Sequence, residues 1–151
     1  MTIDPDRIKL RPATPEDADF VAEVSEIGMR AYVEQIGESW DFDLPRNRFL
    51  ERWQAYRIVQ IDGEDAGCTD VADEGEALRL NVLYLMPAFR NRGFGTFLLR
   101  QFIAQADAEQ KPLRLRVIEV NPAKRLYERM GFQVTEHIPG RYFMVRPVGA
   151  S

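Results

Sequence analysis

The spacing of apolar and polar positions changes along this chain, and each change marks an element. Ile8-Lys9-Leu10-Arg11 alternates and stops at Pro12, which predicts a short strand. Thr14, with Pro15 next and Asp17 three residues on, reads as a helix start: a hydroxyl cap, a residue with preset φ, and an acidic first turn. Ala18, Val21, Val24 and Ile27 recur at helical spacing and carry that helix to Tyr32. Gly37 to Pro45 reads as a loop and Arg46 to Trp53 as a second helix. Tyr56 to Ile61 and Ala66 to Val71 predict two strands joined at Asp62-Gly63, a two-residue hairpin turn. Asp73-Glu74-Gly75 marks another turn before Ala77 to Leu85, the most apolar strand, which Pro87 ends. A helix from Gly93 to Ala108 places Phe97, Leu98, Phe102 and Ile103 on one face. Leu113 to Val117 is the next strand, and Pro122 to Met130 a helix closed by Gly131. Phe132 to His137 and Arg141 to Val145 form a last hairpin around Pro139-Gly140.

This order predicts one α/β domain over residues 1–151: a mixed sheet with helices on its faces, without the regular alternation of a doubly wound fold. With 45% hydrophobic and 29% charged residues among 151, the chain can bury a core and is not disordered in character. A net charge of -4 gives no electrostatic reason to expect nucleic-acid binding. One cysteine, Cys68, and one histidine, His137, argue against a metal site and against a Ser-His-Asp triad. The polar N-terminus lacks the apolar segment of a signal peptide, and no apolar run reaches membrane-spanning length. The expected location is therefore cytoplasmic, away from membranes.

Candidate chemistry concentrates at Leu83 to Thr96. A hydrophobic strand ends there, the basic turn Arg90-Asn91-Arg92 follows, and Gly93-Phe94-Gly95-Thr96 opens a helix. The first N–H groups of a helix lack intrahelical partners, and its dipole favours an anion at that end. Glycine at 93 and 95 lets a diphosphate approach the backbone where a Cβ would intrude. Arg90 and Arg92 add charge, and Thr96 a hydroxyl. A Walker loop fits worse because no lysine separates Gly95 from Thr96, and a dinucleotide fingerprint because Leu98 stands where its third glycine belongs. The competing reading is a glycine-relaxed loop with solvated arginines.

Arg90-Asn91-Arg92-Gly93-Phe94-Gly95 resembles the Gln/Arg-x-x-Gly-x-Gly/Ala signature of the GNAT superfamily of acyl-CoA-dependent N-acetyltransferases. Downstream, Asn121-Pro122-Ala123-Lys124-Arg125-Leu126-Tyr127-Glu128-Arg129-Met130-Gly131-Phe132 is similar to that family's Asn-x-x-Ala-x-x-Leu-Tyr-x-x-x-Gly-Phe segment. The resemblance implies a single GNAT-like domain: a mostly antiparallel sheet of about seven strands, splayed at a parallel pair and flanked by about four helices. It implies acetyl-CoA as co-substrate, no metal, and transfer of acetyl to a primary amine by direct attack. By resemblance, the backbone from Arg90 to Thr96, Phe94 included, holds the CoA diphosphate. The N–H near Leu85 polarises the thioester carbonyl as an oxyanion hole, Asn121 hydrogen-bonds the pantetheine arm, and Tyr127 protonates the leaving thiolate. For Tyr127 the competing reading is a core aromatic beneath Gly131-Phe132.

The strand Leu78-Arg79-Leu80-Asn81-Val82-Leu83-Tyr84 carries no carboxylate after Glu76, so it supplies no general base. Glu119, Glu34, Asp41 and His137 remain candidates. The acceptor side is expected along the loop after the first helix, with Tyr32, Glu34 and Trp40, where carboxylates lean towards a small cationic amine. The competing reading, which the residues favour, is that Trp40 and Phe42 pack that loop on the core. Small-molecule amines and protein amines both stay open as acceptors, and a homodimer is compatible with such a domain. A non-catalytic acyl-CoA-binding regulatory domain is the alternative function. Cys68 reads as a small buried side chain with nothing nearby to activate a thiolate.

Overall fold

The computed structural model describes residues 2–150. Its elements are β1 (Ile8–Pro12), α1 (Ala18–Gln35), α2 (Leu44–Arg52), β2 (Tyr56–Ile61), β3 (Glu64–Asp73), β4 (Leu78–Leu85), α3 (Phe94–Ala108), β5 (Leu113–Ile118), α4 (Ala123–Arg129), β6 (Gln133–Ile138) and β7 (Arg141–Arg146). The seven strands form one sheet in the order β1-β2-β3-β4-β5-β7-β6. Every neighbouring pair is antiparallel except β4 and β5. This is the mixed sheet expected from the element order.

Local chemistry explains most boundaries. The Asp17 carboxylate accepts the Thr14 N–H at 2.8 Å, fixing the entry to α1 through a short 3-10 turn, Pro15–Asp17. Asp62 and Gly63 both have positive φ, 52° and 84°, the conformation of a two-residue turn whose twist matches its strands. Helix α2 starts at Leu44, inside the expected loop, because Asp41 Oδ1 accepts the N–H groups of Asp43 and Leu44 at 3.0 and 3.2 Å.

Two apolar layers sandwich the sheet. On one face α3 buries Phe94, Leu98, Leu99, Phe102, Ile103 and Ala106 against Leu78, Leu80, Leu113, Leu115 and Met144. On the other, α1 and α2 bury Val21, Val24 and Phe49 against Tyr56, Ile58 and Cys68. Burial of each large apolar side chain contributes about 1.5–3 kcal/mol. Two expected core positions fall elsewhere. Ile27 is 43% exposed, because positions three apart drift by about 60° at each step of a 3.6-residue helix, which turns Ile27 opposite Ala18. Phe97 is only half-buried, and Phe94, Leu99 and Ala106 complete the α3 face.

Two irregularities shape the middle of the sheet. Asp70 pairs with Val82 and Val71 with Leu80, so Asn81 is an extra residue bulged out of β4. Before the bulge Leu78 and Leu80 face α3; after it Leu83 and Leu85 do, while Val82 and Tyr84 turn to the α1–α2 side. The parallel pair is registered only at Leu78↔Leu113 and Arg79↔Arg114. Beyond these residues β4 and β5 part, although β5 stays paired with β7 as far as Ile118↔Arg141.

Candidate active site

The gap between β4 and β5 opens into a cleft of about 950 Å³ that runs through the sheet. Its lining includes Leu83, Leu85, Leu115 and Val117 from the splayed strands, and Gly93, Gly95 and Thr96 from the start of α3. Gly93 caps α3 with φ 87°, a left-handed conformation that costs a glycine little, and Asn91 (φ 58°) shares it. A Cβ built on Gly95 would meet only Leu85 Cδ1, at 3.9 Å, so the bare Cα faces open cleft and not packed core. Phe94 is 1% exposed and belongs to the core, leaving only its backbone to the turn.

The two arginines of the turn do not act as a matched pair on its rim. Arg90 Nε donates to the Leu85 carbonyl at 2.9 Å, and its guanidinium reaches α1 at Gly28, where a Cβ would be 3.7 Å from Nη2. Arg92 donates to the Ala88 carbonyl at 3.2 Å, stacks over the Phe94 ring at 5.3 Å, and does not line the cleft.

Backbone alternation sets the direction of the Leu85 amide. The Met86 N–H donates to the Ala66 carbonyl on β3 at 2.7 Å. Successive peptide groups of a strand point to opposite sides, so the Leu85 N–H is turned away from β3 and into the gap that β5 has left. A strand amide freed from its ladder in this way is a donor available to a bound carbonyl.

On the opposite wall α4 carries Tyr127, whose ring packs on Phe132 at 5.7 Å, while the Phe132 N–H donates to the Tyr127 carbonyl at 3.0 Å. Burial pushes the Tyr127 phenol above its ordinary value. Asn121 also lines the cleft; its Oδ1 accepts the Ala123 N–H at 2.9 Å and its amide N–H groups remain as donors. Leu85, Gly95, Thr96, Asn121 and Tyr127, distant in sequence, thus border one cleft.

The acceptor-side residues are partly regrouped. Tyr32 and Trp40 line the cleft. Glu34 does not; it lies along α1 with Arg30 Nε at 3.4 Å. Phe42 is 58% exposed, beneath the Arg30 guanidinium at 4.9 Å, and packs on no core. Glu119 pairs with His137 outside the cleft, and Asp41 caps α2. The loop after α1 is tied to the β6–β7 hairpin by Arg141, which donates to both oxygens of Glu38 at 2.8 and 3.0 Å. Burial raises the Cys68 thiol to about 12, as an inert core cysteine requires.

Several polar groups of the cleft were not singled out in the sequence. Asp70, 1% exposed on β3, accepts from Arg52 at 3.0 and 3.2 Å and from Asn81 Nδ2 at 3.3 Å. Arg48 and Arg116 also line the cleft. The signal for Arg116 was present: in Leu113-Arg114-Leu115-Arg116-Val117 the alternation places the arginines opposite the apolar layer.

Comparison with known proteins agrees with this architecture. Residues 52–134, more than half of the chain, match the family described as Acetyltransferase (GNAT) domain. The chain belongs to the GNAT acetyltransferase family. It is 34% identical over 97 residues to the [Ribosomal protein bS18]-alanine N-acetyltransferase of Haemophilus influenzae, a match covering 62% of this chain and 64% of that one. The chain therefore spans less than two thirds of that relative's length. The fold is shared with a PaiA N-acetyltransferase of Thermoplasma acidophilum, solved in complex with coenzyme A (TM-score 0.76, 17% identity, covering 93% of this chain and 98% of that one). It is shared also with an acetyltransferase of Thermus thermophilus (TM-score 0.72, 25% identity, covering 93% and 96%). Among the described residues no helix is long and apolar enough to cross a membrane.

Proposed function

We propose that this protein transfers an acetyl group from acetyl-CoA to a primary amine, on a small molecule or a protein, by direct attack in a ternary complex. The observation that carries the reading is the parting of β4 from β5, which leaves the Leu85 N–H facing a cleft bordered by the α3 N-terminus and by Tyr127. The residues present suit that co-substrate. The helix start at Gly93 to Thr96 offers unpaired N–H groups and a glycine cradle for a diphosphate, and Leu85, Leu115, Val117 and Leu126 give an apolar passage for the pantetheine arm.

The roles of the residues follow from charge movement. The neutral amine attacks the thioester carbon, a C–N bond forms, and negative charge grows on the carbonyl oxygen, which the Leu85 N–H stabilises. The C–S bond then breaks, the departing sulfur takes a proton from the Tyr127 hydroxyl, and the nitrogen gives its surplus proton through water to the Tyr127 phenolate, leaving a neutral amide and the CoA thiol. Asn121 donates to the arm that carries the thioester. The relative that acts on a ribosomal-protein alanine supports a protein amine as one acceptor class.

Calorimetric titration with acetyl-CoA, followed by assay of thiol release over a panel of amines, tests the proposal. Saturable binding with release is expected. Binding without release would favour a non-catalytic acyl-CoA-binding domain, and absence of binding by folded protein would refute the CoA site.

A further inference from the structure

The acceptor side of the cleft holds more cationic charge than its own carboxylates neutralise. Besides Arg52, which pairs with Asp70, and Arg90 at the turn, it is lined by Arg48 on α2, Arg116 on β5 and Arg141 on β7. Arg141 is engaged with Glu38. The cleft's other carboxylates are largely committed: Asp70 to Arg52 and Asn81, and Asp41 to the first N–H groups of α2. Glu51, on α2 beyond Arg48, is exposed and makes no ion pair. Among the described residues neither Arg48 nor Arg116 has a carboxylate within ion-pair distance, although ion pairs are formed by most arginines on the same sheet face, such as Arg79 and Arg114 with Glu74.

Arg116 is exposed at the cleft, as is Arg48, and its guanidinium is open to a ligand. It projects from a strand whose neighbours Leu115 and Val117 are buried in the core, so its position is fixed by the sheet. Loss of hydration, and then the nearby Arg48 and Arg141 guanidiniums, push its pKa below the ordinary arginine value. Two guanidiniums without ion pairs in one cleft of a chain with net charge -4 are a local arrangement, not a reflection of composition. A guanidinium presents a planar fork of donors that matches a carboxylate or phosphate with two hydrogen bonds.

Resting on the acyltransfer reading above, we propose that the acceptor amine carries an anionic group, a carboxylate or a phosphate, which Arg48 and Arg116 bind in the cleft. The expectation of a small cationic amine reverses, because the carboxylates that suggested it are paired, capping or outside the cleft, and the free charges are guanidiniums.

Matched amines test this at saturating acetyl-CoA: aspartate and alanine against their amides, O-phosphoethanolamine against ethanolamine, a peptide opening with Ala-Asp against one opening with Ala-Asn, and spermidine as the cation. The acidic member of at least one pair is expected to be preferred by about tenfold or more in kcat/KM, and the pair that shows it separates carboxylate, phosphate and peptide sources. R48Q and R116Q, verified as folded by thermal melting, should each erase that preference through a higher KM for the acidic member. Equal use of acid and amide, or preference for spermidine, overturns the inference while leaving the acyltransferase intact. Failure of acetyl-CoA itself to bind, by calorimetry on the same samples, sinks both. If no amine turns over, CoA-saturated protein is titrated with inorganic phosphate: binding weakened about tenfold in the R48Q/R116Q double variant supports the site, and no binding to the parent protein overturns it.

Discussion

Arg90 Nε holds the carbonyl oxygen of Leu85 at 2.9 Å, so a residue of the basic turn fastens the end of the strand it follows. That contact fixes the Leu85–Met86 peptide, whose own N–H is held by the Ala66 carbonyl, and so anchors Leu85, whose N–H looks into the gap left by β5. On the proposed mechanism Arg90 would position the oxyanion donor, a different task from the rim charge its place in the motif suggests.

Arg90→Ala should lower kcat by about tenfold, the loss of one charge-assisted hydrogen bond. Acetyl-CoA affinity should change by less than about threefold. Steady-state kinetics with calorimetry separates the two. A loss confined to CoA affinity would return Arg90 to a diphosphate role.

Tyr127→Phe keeps the ring that packs on Phe132 and removes only the hydroxyl. Turnover should fall by about a hundredfold or more, as for removal of a general acid, with CoA affinity near that of the parent. An unchanged rate would make Tyr127 a packing residue.

Gly95→Val should fold normally, since a Cβ there meets only Leu85 Cδ1 at 3.9 Å. Its side chain enters the cleft, and calorimetry should detect no acetyl-CoA binding. Retained affinity in the folded variant would place the diphosphate elsewhere.

Gly67→Ala should act on the fold instead. A Cβ at this position would lie 2.0 Å from the Tyr84 carbonyl oxygen and 2.9 Å from Leu85 Cδ2, so β3 and β4 would have to separate. Thermal or denaturant unfolding should show a loss of about 3 kcal/mol. A melting temperature equal to that of the parent would contradict the close approach.

Stability should decline in alkali. Burial raises the Cys68 thiol from the ordinary 9.0 to about 12. In the unfolded chain the thiol ionises above pH 9 while in the native protein it stays neutral, so its contribution is fully present below pH 9 and is lost as pH rises towards 12. Tyr56, Tyr84 and Tyr127 are raised too, chiefly by burial, from the ordinary 10.0. Melting temperature should therefore fall from pH 9 upward in the parent and only from about pH 10 in Cys68→Ala. Coincident curves for the two proteins would remove Cys68 from the account.

The sequence by itself determined the elements, their order, the hairpin turn at Asp62-Gly63, and the two motifs that resemble the family to which the chain belongs. These are legible because periodicity, capping and left-handed turns depend on residues a few positions apart. Tertiary structure decided what lies between strands. The bulge at Asn81 shifts which β4 residues face α3, and no period in the sequence announces it, since an extra residue exists only relative to its partner on β3. Pairing also decided the charges. Glu34 turned to Arg30, Glu38 to Arg141 and Asp70 to Arg52, while Arg48 and Arg116 were left without carboxylates among the described residues. Attraction between such groups falls with distance in space, so the charge left free in the cleft was fixed only when remote segments met across it.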